Sequence, residues 1–483
     1  MGANMSVMSE RNANVGGDLD DRAIIDAGYK PQLLRRLGLF SSFAISFSYM
    51  SVLTGIFANY SFALGKAGPF GVWTWLLVGF GQTLTALVFA EMAGRIPLTG
   101  CSYNWNTRLR SPALGWFAGW MALVAYTVGV SAVTVTIFPV ANSLLGFPIA
   151  PSAVKYVGLG LILLQAAINV YGVRAAAYIN LSAVCAEIAT AVVFGALLIA
   201  AWLLKGHPNI EMLTTIPSTP APYYSGFLMA CLLAGWTLLG FEGAADISEE
   251  TINVRHVAPK GIIRSVIACT VIGLFFTMLL TLCIPNLTSV VSAADPVSAI
   301  ISVTLGDTLT KVFLIFVLIS VVACSLVNMT GATRVLFAMA RDTRLPASSW
   351  LSKVSAHKVP SNATWVIAIL SGAFLLISDT ATALYGAGAV LFTMFYLLTV
   401  LAYAAAIKRL PITESFSLGL WRWPVVTLAA VWLIVEIGIL TIPEEFHSVA
   451  IATGIVLAVG VALYFLRGRG SSSLSGKSRT ARF

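Results

Sequence analysis

The sequence predicts an all-α membrane protein with twelve transmembrane helices, of which the first ten form two inverted repeats of five and two more follow. Three observations lead to this prediction. Hydrophobic residues make up 58% of the 483-residue chain and charged residues only 10%, and the mean hydropathy is +0.88. Apolar stretches of about 20 residues, long enough to cross a bilayer core, recur from Leu39 to Leu466. Two of them, five apart, are interrupted by small and polar residues.

The apolar stretches define the predicted domains. A tail at 1–37 precedes a first repeat at 38–204; a second repeat at 224–406 and two helices within 423–466 precede a tail at 467–483. Both tails are polar and are expected to be disordered. The predicted spans are 38–64, 71–94, 113–145, 155–172, 176–204, 224–246, 262–285, 309–337, 364–378, 383–406, 423–442 and 447–466.

The basic residues predict the orientation. With the N-terminus inside, 25 of the 29 Lys and Arg residues lie in the tails, in even-numbered loops or at adjoining span ends, and four do not. The positive-inside rule therefore places both termini in the cytoplasm of a multi-pass cell-membrane protein. Because these residues are spread over alternate loops, the formal net charge of +9 does not indicate nucleic-acid binding. No signal peptide is recognisable, so we expect the first span to direct insertion.

Several function classes lack their sequence signatures. The six cysteines fall mostly within spans and have no metal-ligand spacing, and the four histidines lie in loops or at helix ends. The sequence contains no phosphate-binding loop, no Ser/His/Asp arrangement, no filter loop and no nucleotide-binding domain. We therefore expect neither an enzyme, a channel nor a primary pump, and no cofactor or metal.

The first and sixth spans carry matching interruptions. The first contains "SYMSVLTGIFANYS" and the sixth contains "CLLAGWTLLGFEGAAD", where glycine, serine and threonine interrupt the apolar run. The first span runs outward and the sixth, five helices later, runs inward, as in an inverted repeat. Breaks at matching positions of two such halves indicate a substrate site near the bilayer midplane, because unwound backbone frees N–H and C=O groups.

Helix dipoles predict what the two breaks bind. A half-helix that begins near Thr54, Gly55 and Ile56 would present free N–H groups to a carboxylate. The carbonyl groups that end the first half of span six would face an ammonium group, and the two together describe an amino acid. We expect the substrate site to consist of Ser51, Thr54, Gly55, Ile56, Ala234, Gly235, Trp236 and Phe241, with Tyr49 and Tyr126 nearby.

Four segments resemble, in order, motifs of the amino acid-polyamine-organocation transporters, which share the inverted-repeat fold of LeuT. They are "SVLTGIFANYSFALGKAGPFGVW" (51–73), "FAEMAGRIPLTGCSYNW" (89–105), "GFEGAADISEETINVRHVAPKGI" (240–262) and "ATRVLFAMARDTRLPASSWLSKVSAHKVPSNA" (332–363). The last two are most similar to the branch that includes 4-aminobutyrate, choline and many bacterial amino acid permeases. Trp236, Gly240 and Glu242 also fit the Trp-x-x-x-Gly-x-Glu pattern of arginine/agmatine antiporters. The resemblance implies that Trp236 is an aromatic gate and Glu242 a proton-linked carboxylate; it does not imply arginine specificity.

Carboxylates inside a membrane are costly and are therefore functional candidates. Glu242, beside two glycines, is the first predicted proton-coupling group, facing the substrate cavity, and Glu187, in the middle of span five, is the second. Asp246, with the two glutamates after it, is expected to form an inner gate near water or Arg255.

Two further acids have structural interpretations. Glu91 lies four residues before Arg95, which predicts an ion pair on one helix face at the cytoplasmic interface. Glu436, on span eleven, lies outside the repeat and could belong to a dimer contact.

The predicted function is secondary transport of a small amino acid or related amine, such as 4-aminobutyrate, with protons by alternating access. An organic-cation carrier for choline, ethanolamine or polyamines, anchored by Glu242, is the alternative, as is an amino acid exchanger. Sodium coupling also stays open, because Ser320, Ser325 and Thr330 on span eight could supply hydroxyl ligands. The expected partners are the substrate and the lipid bilayer, in a monomer or a homodimer.

Overall fold

The computed structural model describes residues 20–171, 173–205, 209–216, 223–378, 380–410 and 415–468. Helices account for nearly all regular structure in these ranges, where one isolated parallel bridge joins Leu37 and Thr251. The predicted all-α membrane fold is confirmed.

We number the helices in chain order. They are α1 (20–26), α2 (Leu39–Met50), α3 (Val52–Ala67), α4 (Thr74–Arg95), α5 (Cys101–Leu109), α6 (Pro112–Leu145), α7 (Pro151–Tyr171), α8 (Val173–Lys205), α9 (Tyr223–Ala230), α10 (Leu232–Thr237), α11 (Gly243–Asp246), α12 (Val254–Leu282), α13 (Leu287–Ser292), α14 (Pro296–Leu305), α15 (Asp307–Arg341), α16 (Ser348–Leu351), α17 (Ser361–Ile377), α18 (Ala381–Ala406), α19 (Arg422–Ile439) and α20 (His447–Leu463).

The twelve predicted spans all fall on apolar helices. Among the described residues, 10 helical segments are long and apolar enough to cross a membrane. The predicted sixth and ninth spans coincide with two shorter apolar helices, Tyr224–Thr237 and Ser361–Ile377. The sixth is short because its helix is broken, whereas α17, with 17 residues, reaches about 26 Å at 1.5 Å per residue. The apolar helix α14 lies between predicted spans seven and eight.

The first span breaks at Ser51. Helix α2 ends at Met50, and α3 begins at Val52. Ser51 itself has a φ of +31°, a conformation that a serine rarely adopts. The predicted start of the second half near Thr54–Ile56 was therefore a few residues late. The Gly55 N–H already donates to the Ser51 carbonyl at 3.0 Å, so Gly55 lies inside α3.

The sixth span unwinds between α10 and α11, and neighbouring helices partner its backbone. Gly240 has a φ of +92°, and its N–H donates to the Tyr396 hydroxyl of α18 at 2.9 Å. The Ser46 hydroxyl of α2 donates to the Phe241 carbonyl and accepts from the Ala244 N–H, both at 2.8 Å. The unwound segment is thus held between α2 and α18.

Corresponding helices of the two halves pack against each other. Helix α3 contacts α10, α4 contacts α12, α6 contacts α15, and α7 contacts α17. These pairs are the first and sixth, second and seventh, third and eighth, and fourth and ninth spans. This pairing is the one expected of two inverted five-helix halves.

The N-terminal segment is ordered where the structure describes it, contrary to the prediction for 1–37. The N–H groups of Arg36 and Leu37 donate to the Glu250 carbonyl at 2.9 and 3.0 Å, and the Ile252 N–H donates to the Leu37 carbonyl at 2.9 Å. These contacts give the segment backbone partners that its composition does not reveal. We call the membrane face that carries this segment the terminal face. Residues 1–19 and 469–483 of the predicted tails lie outside the described residues.

The close approach of α3 and α10 can be tested at Gly55. A Cβ atom there would fall inside the space filled by the Thr237 side chain, which is buried and donates to the Leu233 carbonyl at 2.5 Å. We expect Gly55→Ala to destabilise the protein by about 1–3 kcal/mol through overpacking, measured as a lower melting temperature in detergent. The matched control is Gly65→Ala on the same helix, where no atom lies within 4 Å of the new Cβ. Equal melting temperatures of the two variants would contradict the prediction.

Candidate functional site

A small cavity lies between the two broken helices. Thr54, Gly55 and Trp236 line it, so three of the eight predicted substrate residues face this space. The other lining residues are Tyr49, Met50, Val133, Leu239, Cys324, Asn328 and Phe392. None of these side chains is an acid or a strong base, and most are apolar. The lining is therefore neutral and largely apolar, and in this closed conformation the space holds about one or two water molecules.

The remaining predicted substrate residues lie outside this lining. Ile56 and Ala234 are fully buried within the helix packing. Gly235 faces Glu436, and Phe241 packs against the rings of Phe89 and Tyr396. Ser51 forms the hinge between α2 and α3.

The N-terminus of α3 is capped by a carboxylate of the protein itself. Glu187 Oε1 accepts from the Leu53 N–H at 3.0 Å, and the Ser51 hydroxyl lies 3.0 and 3.2 Å from its two oxygens. The Ser51 hydroxyl also lies 2.6 Å from Thr54 Oγ1. A negative charge at this position is favoured by the helix dipole. Glu187 thus joins α8 to the hinge of the first span.

The C-terminal end of α10 offers carbonyl groups one residue later than the predicted set around Ala234, Gly235 and Trp236. The Ala234 carbonyl already accepts from the Leu238 N–H at 2.9 Å. The carbonyls of Gly235, Trp236 and Thr237 follow it at the helix end, where the last groups lack intrahelical donors. The Trp236 ring lies 5.4 Å from the Tyr385 ring. Trp236 is therefore placed at the cavity wall on the side of α18.

Behind the cavity, two carboxyl groups meet one tyrosine hydroxyl. The Tyr126 hydroxyl oxygen lies 2.5 Å from Glu242 Oε1 and 2.7 Å from Asp246 Oδ2, and the Tyr396 hydroxyl also donates to Glu242. Both acids are fully buried. Because the Tyr126 hydroxyl has one hydrogen, it can donate to only one of them. The second contact of this carboxylate pair is satisfied when one of the two carboxyl groups is protonated and donates to the tyrosine oxygen.

The carboxylate pair does not line the cavity, contrary to the expectation that Glu242 faces it. Tyr49 lines the cavity, and its ring centroid lies 5.4 Å from that of Tyr126. The Tyr49 hydroxyl is buried and has no hydrogen-bond partner among the described residues. Two tyrosines therefore separate the cavity from Glu242 and Asp246.

Two ion pairs join the end of the sixth span to α15 at the terminal face. Arg341 binds both oxygens of Glu249 at 2.9 and 3.0 Å, and Arg334 binds both oxygens of Glu250 at 2.9 and 3.2 Å. The expectation that Arg255 pairs with these glutamates was wrong. Arg255 lies in the first turn of α12, whereas the guanidinium groups that bind Glu249 and Glu250 belong to α15. Bidentate, mostly buried pairs of this kind have specific geometry.

The N-terminal segment covers these ion pairs. The Arg341 guanidinium lies 3.8 Å from the centre of the Tyr29 ring, and the Tyr29 hydroxyl donates to Asp342 at 3.0 Å. Arg35 donates to the Thr251 carbonyl at 2.5 Å. Charged and cation–π contacts therefore join the N-terminal segment to α15 and to the end of the sixth span at the terminal face.

Glu91 forms the predicted ion pair with Arg95, at 2.5 Å. It is fully buried, however, and also accepts from Arg422 at 2.8 Å and from Tyr403 at 2.7 Å. Glu91 therefore ties α4 to α18 and α19. Within the described ranges, no group of three or more His, Cys, Asp or Glu residues could hold a metal ion.

Sequence reasoning missed six of the ten residues that line the cavity, as well as Tyr396 and Arg341. Asn328 and Phe392 line the cavity, Tyr396 holds both Gly240 and Glu242, and Arg341 closes the terminal face. The polar residue Asn328 on span eight and Tyr396 on span ten could be seen in the sequence. Their contacts could not be predicted, because the partners lie far away along the chain.

Comparison with known proteins agrees with this architecture. The profile of the amino acid permease family matches residues 37–464. The chain is 26% identical to the amino-acid permease BAT1 homolog of Oryza sativa, over 76% of each chain. It is 27% identical to the branched-chain amino acid permease BcaP of Bacillus subtilis, over 92% of this chain and 95% of the relative. It is also 25% identical to the thiamine transporter thi9 of Schizosaccharomyces pombe, over 92% and 84%. The chain therefore belongs to the amino acid permease family of the amino acid-polyamine-organocation superfamily, and has its LeuT-like fold.

Proposed function

We propose that this permease takes small neutral amino acids into the cell together with protons, by alternating access around the cavity between α3 and α10. The observation that carries the proposal is the combination of two broken helices at a neutral cavity with a proton-holding carboxylate pair behind it. The two broken helices at a neutral cavity suit a zwitterion, and the carboxylate pair suits proton coupling.

The substrate would bind along the line between the two helix ends. Because Glu187 takes the Leu53 N–H and the Ser51 carbonyl takes the Gly55 N–H, the substrate carboxylate would face the Thr54 N–H in the first turn of α3. The substrate ammonium group would face the last carbonyls of α10. Met50, Val133 and Phe392 then surround an apolar side chain. A relative is named as a branched-chain amino acid permease, which fits such a wall. 4-Aminobutyrate has the same two charged ends and belongs to the set to be tested.

Protons are the proposed coupling ion. Glu242 and Asp246 would bind and release one as Tyr126 moves with α6, and Glu187 would be a second site at the hinge. The three hydroxyls on α15 considered as sodium ligands have other hydrogen bonds. They donate to Phe316, to Gln165 and to Asn169.

The terminal face would be cytoplasmic. Arg334 and Arg341, which close it, belong to the basic residues that the positive-inside rule places inside. Alternating access then requires these ion pairs to break when substrate is released into the cell.

An organic-cation carrier is the second candidate. It is favoured by the name of one relative, a thiamine transporter. The neutral cavity lining argues against it, because Glu242, its proposed anchor, contacts Tyr126 and Tyr396 instead.

Binding of candidate substrates distinguishes these functions. A ligand present at 100 times its Kd stabilises a protein that it binds by about 2.7 kcal/mol. We expect small apolar zwitterionic amino acids to raise the melting temperature of the purified protein, because they fill the cavity and meet both helix ends. The panel includes 4-aminobutyrate, choline, ethanolamine, polyamines and thiamine. Stabilisation by the cations alone would overturn the amino acid assignment.

Glu242→Gln separates coupling from substrate binding. The variant removes one of the two ionisable groups of the carboxylate pair, but the cavity lining is unchanged. In proteoliposomes we expect accumulation driven by a pH gradient to fall about tenfold or more, as for loss of one proton-transfer group. Substrate counterflow without a gradient should persist.

The matched control for this experiment is Glu444→Gln, an exposed acid before α20, which should behave as wild type. Gradient-driven accumulation by Glu242→Gln at the wild-type level and pH dependence would exclude Glu242 as a coupling group.

A further inference from the structure

Glu436 is a buried carboxyl group outside both the carboxylate pair and the gate at the terminal face. It lies on α19, which follows the two repeats, and is 1% exposed. Gln82 Nε2 of α4 lies 3.0 and 2.9 Å from its two oxygens. Thr393 Oγ1 of α18 lies 3.3 Å from Oε2. We call these three residues the Glu436 cluster. The expectation of a dimer contact was wrong, because this side chain points into the bundle.

The hydrogens of the Glu436 cluster favour a protonated carboxyl group. The Thr393 hydroxyl has one hydrogen, and the Ala389 carbonyl, at 2.8 Å, is its closer acceptor. The contact between Thr393 and Glu436 is then satisfied when the carboxyl group donates to the Thr393 oxygen. Gln82 Oε1, buried and without a partner in the described part of the chain, is a second acceptor for the same proton after rotation of the amide.

The surroundings supply no compensating charge. The groups that face Glu436 are the Gln82 amide of α4, the Thr393 hydroxyl of α18, the Cys231 thiol before α10 and, on α19 itself, the Trp432 indole. Among the described residues, no lysine or arginine forms an ion pair with it. An unpaired carboxylate inside a membrane is costly, whereas a neutral carboxyl group with two acceptors is not.

Glu436 also contacts the helix that carries the proposed gate. A Cβ atom on Gly235 would lie 3.2 Å from Glu436 Oε1, so glycine lets α10 approach the carboxyl group closely. Gly235 belongs to the last turn of α10, next to Trp236. The C-terminal end of a helix repels a negative charge. The charge on Glu436 therefore acts on the position of α10.

We propose that Glu436 is a further proton-binding group and a positioning residue for transport: its protonated form holds α10 against α4, α18 and α19, and its ionised form releases α10. The role of Glu436 in transport rests on the proposed function, but the proton site at Glu436 does not. Glu436 does not touch the substrate; it acts through the placement of Gly235 and Trp236.

The proton site can be tested without any substrate. Infrared spectra of the purified protein in liposomes, recorded over a pH series, report the absorption of protonated carboxyl groups. Glu436→Gln keeps the hydrogen bonds to Gln82 and Thr393 but has no ionisable proton. We expect one titrating carboxyl band of the wild type to be missing in Glu436→Gln and present in the control Glu444→Gln. Identical titrations of wild type and Glu436→Gln would overturn the proposal.

The positioning role is tested by the pH dependence of uptake. For Glu436→Gln we expect the change of KM between acidic and alkaline pH to shrink about threefold while kcat changes less, and Glu436→Asp to restore it in part. A structural role alone would lower kcat and melting temperature equally at every pH, and that result would exclude positioning.

Two further outcomes keep the tests separate. If Glu436→Gln does not fold, Glu436→Asp draws the carboxyl group away from both Gln82 and Thr393, and an unchanged carboxyl band in that variant would overturn the proton site. If the wild type takes up no member of the substrate panel, the proposed function fails while the infrared result stands.

Discussion

Two membrane helices of this permease break inside the bilayer, and each backbone group freed there needs a partner in the protein or in the cavity, because lipid supplies none. The Leu53 N–H is bound by Glu187, and the Gly240 N–H by Tyr396. Ser46 binds the Phe241 carbonyl within the second break and the Ala244 N–H just after it. These partners come from α8, α18 and α2, so helices of both halves of the chain hold the two breaks in place.

The same constraint explains why the acids lie behind the cavity rather than in it. A carboxylate facing a small apolar space would lack hydrogen-bond donors, whereas Glu242 and Asp246 share the Tyr126 hydroxyl. Tyr49 lies between them and the cavity. The two acids and the cavity therefore occupy adjacent but separate compartments.

What could be predicted from the sequence is what depends on local pattern. Twelve apolar stretches and two interruptions mark the spans and their breaks, and the spacing of Glu91 and Arg95 places them on one helix face. The start of α3 was misplaced because the hinge is set by Glu187, which comes from another helix. The helix propensity of the residues around Gly55 carries no information about a capping carboxylate on another helix.

Tertiary partners were the part that sequence could not provide. Tyr126 and Tyr396 meet Glu242 from two other spans, and one sequence does not show which tyrosine of many does so. The order of the N-terminal segment likewise depends on Glu250, whose backbone accepts its N–H groups. Amino-acid composition indicates how much apolar surface a segment can bury by itself, but not which hydrogen-bond partners a neighbouring segment supplies.

The contacts at the terminal face and at α10 differ in kind. At the terminal face the contacts are the ion pairs of Arg334 and Arg341 under the N-terminal segment, whereas at α10 Trp236 packs on Tyr385. Salt screens buried ion pairs much less than exposed ones, and separating aromatic surfaces changes the heat capacity. In the proposed transport cycle, opening at the terminal face would therefore depend little on ionic strength, and opening at α10 would depend on temperature.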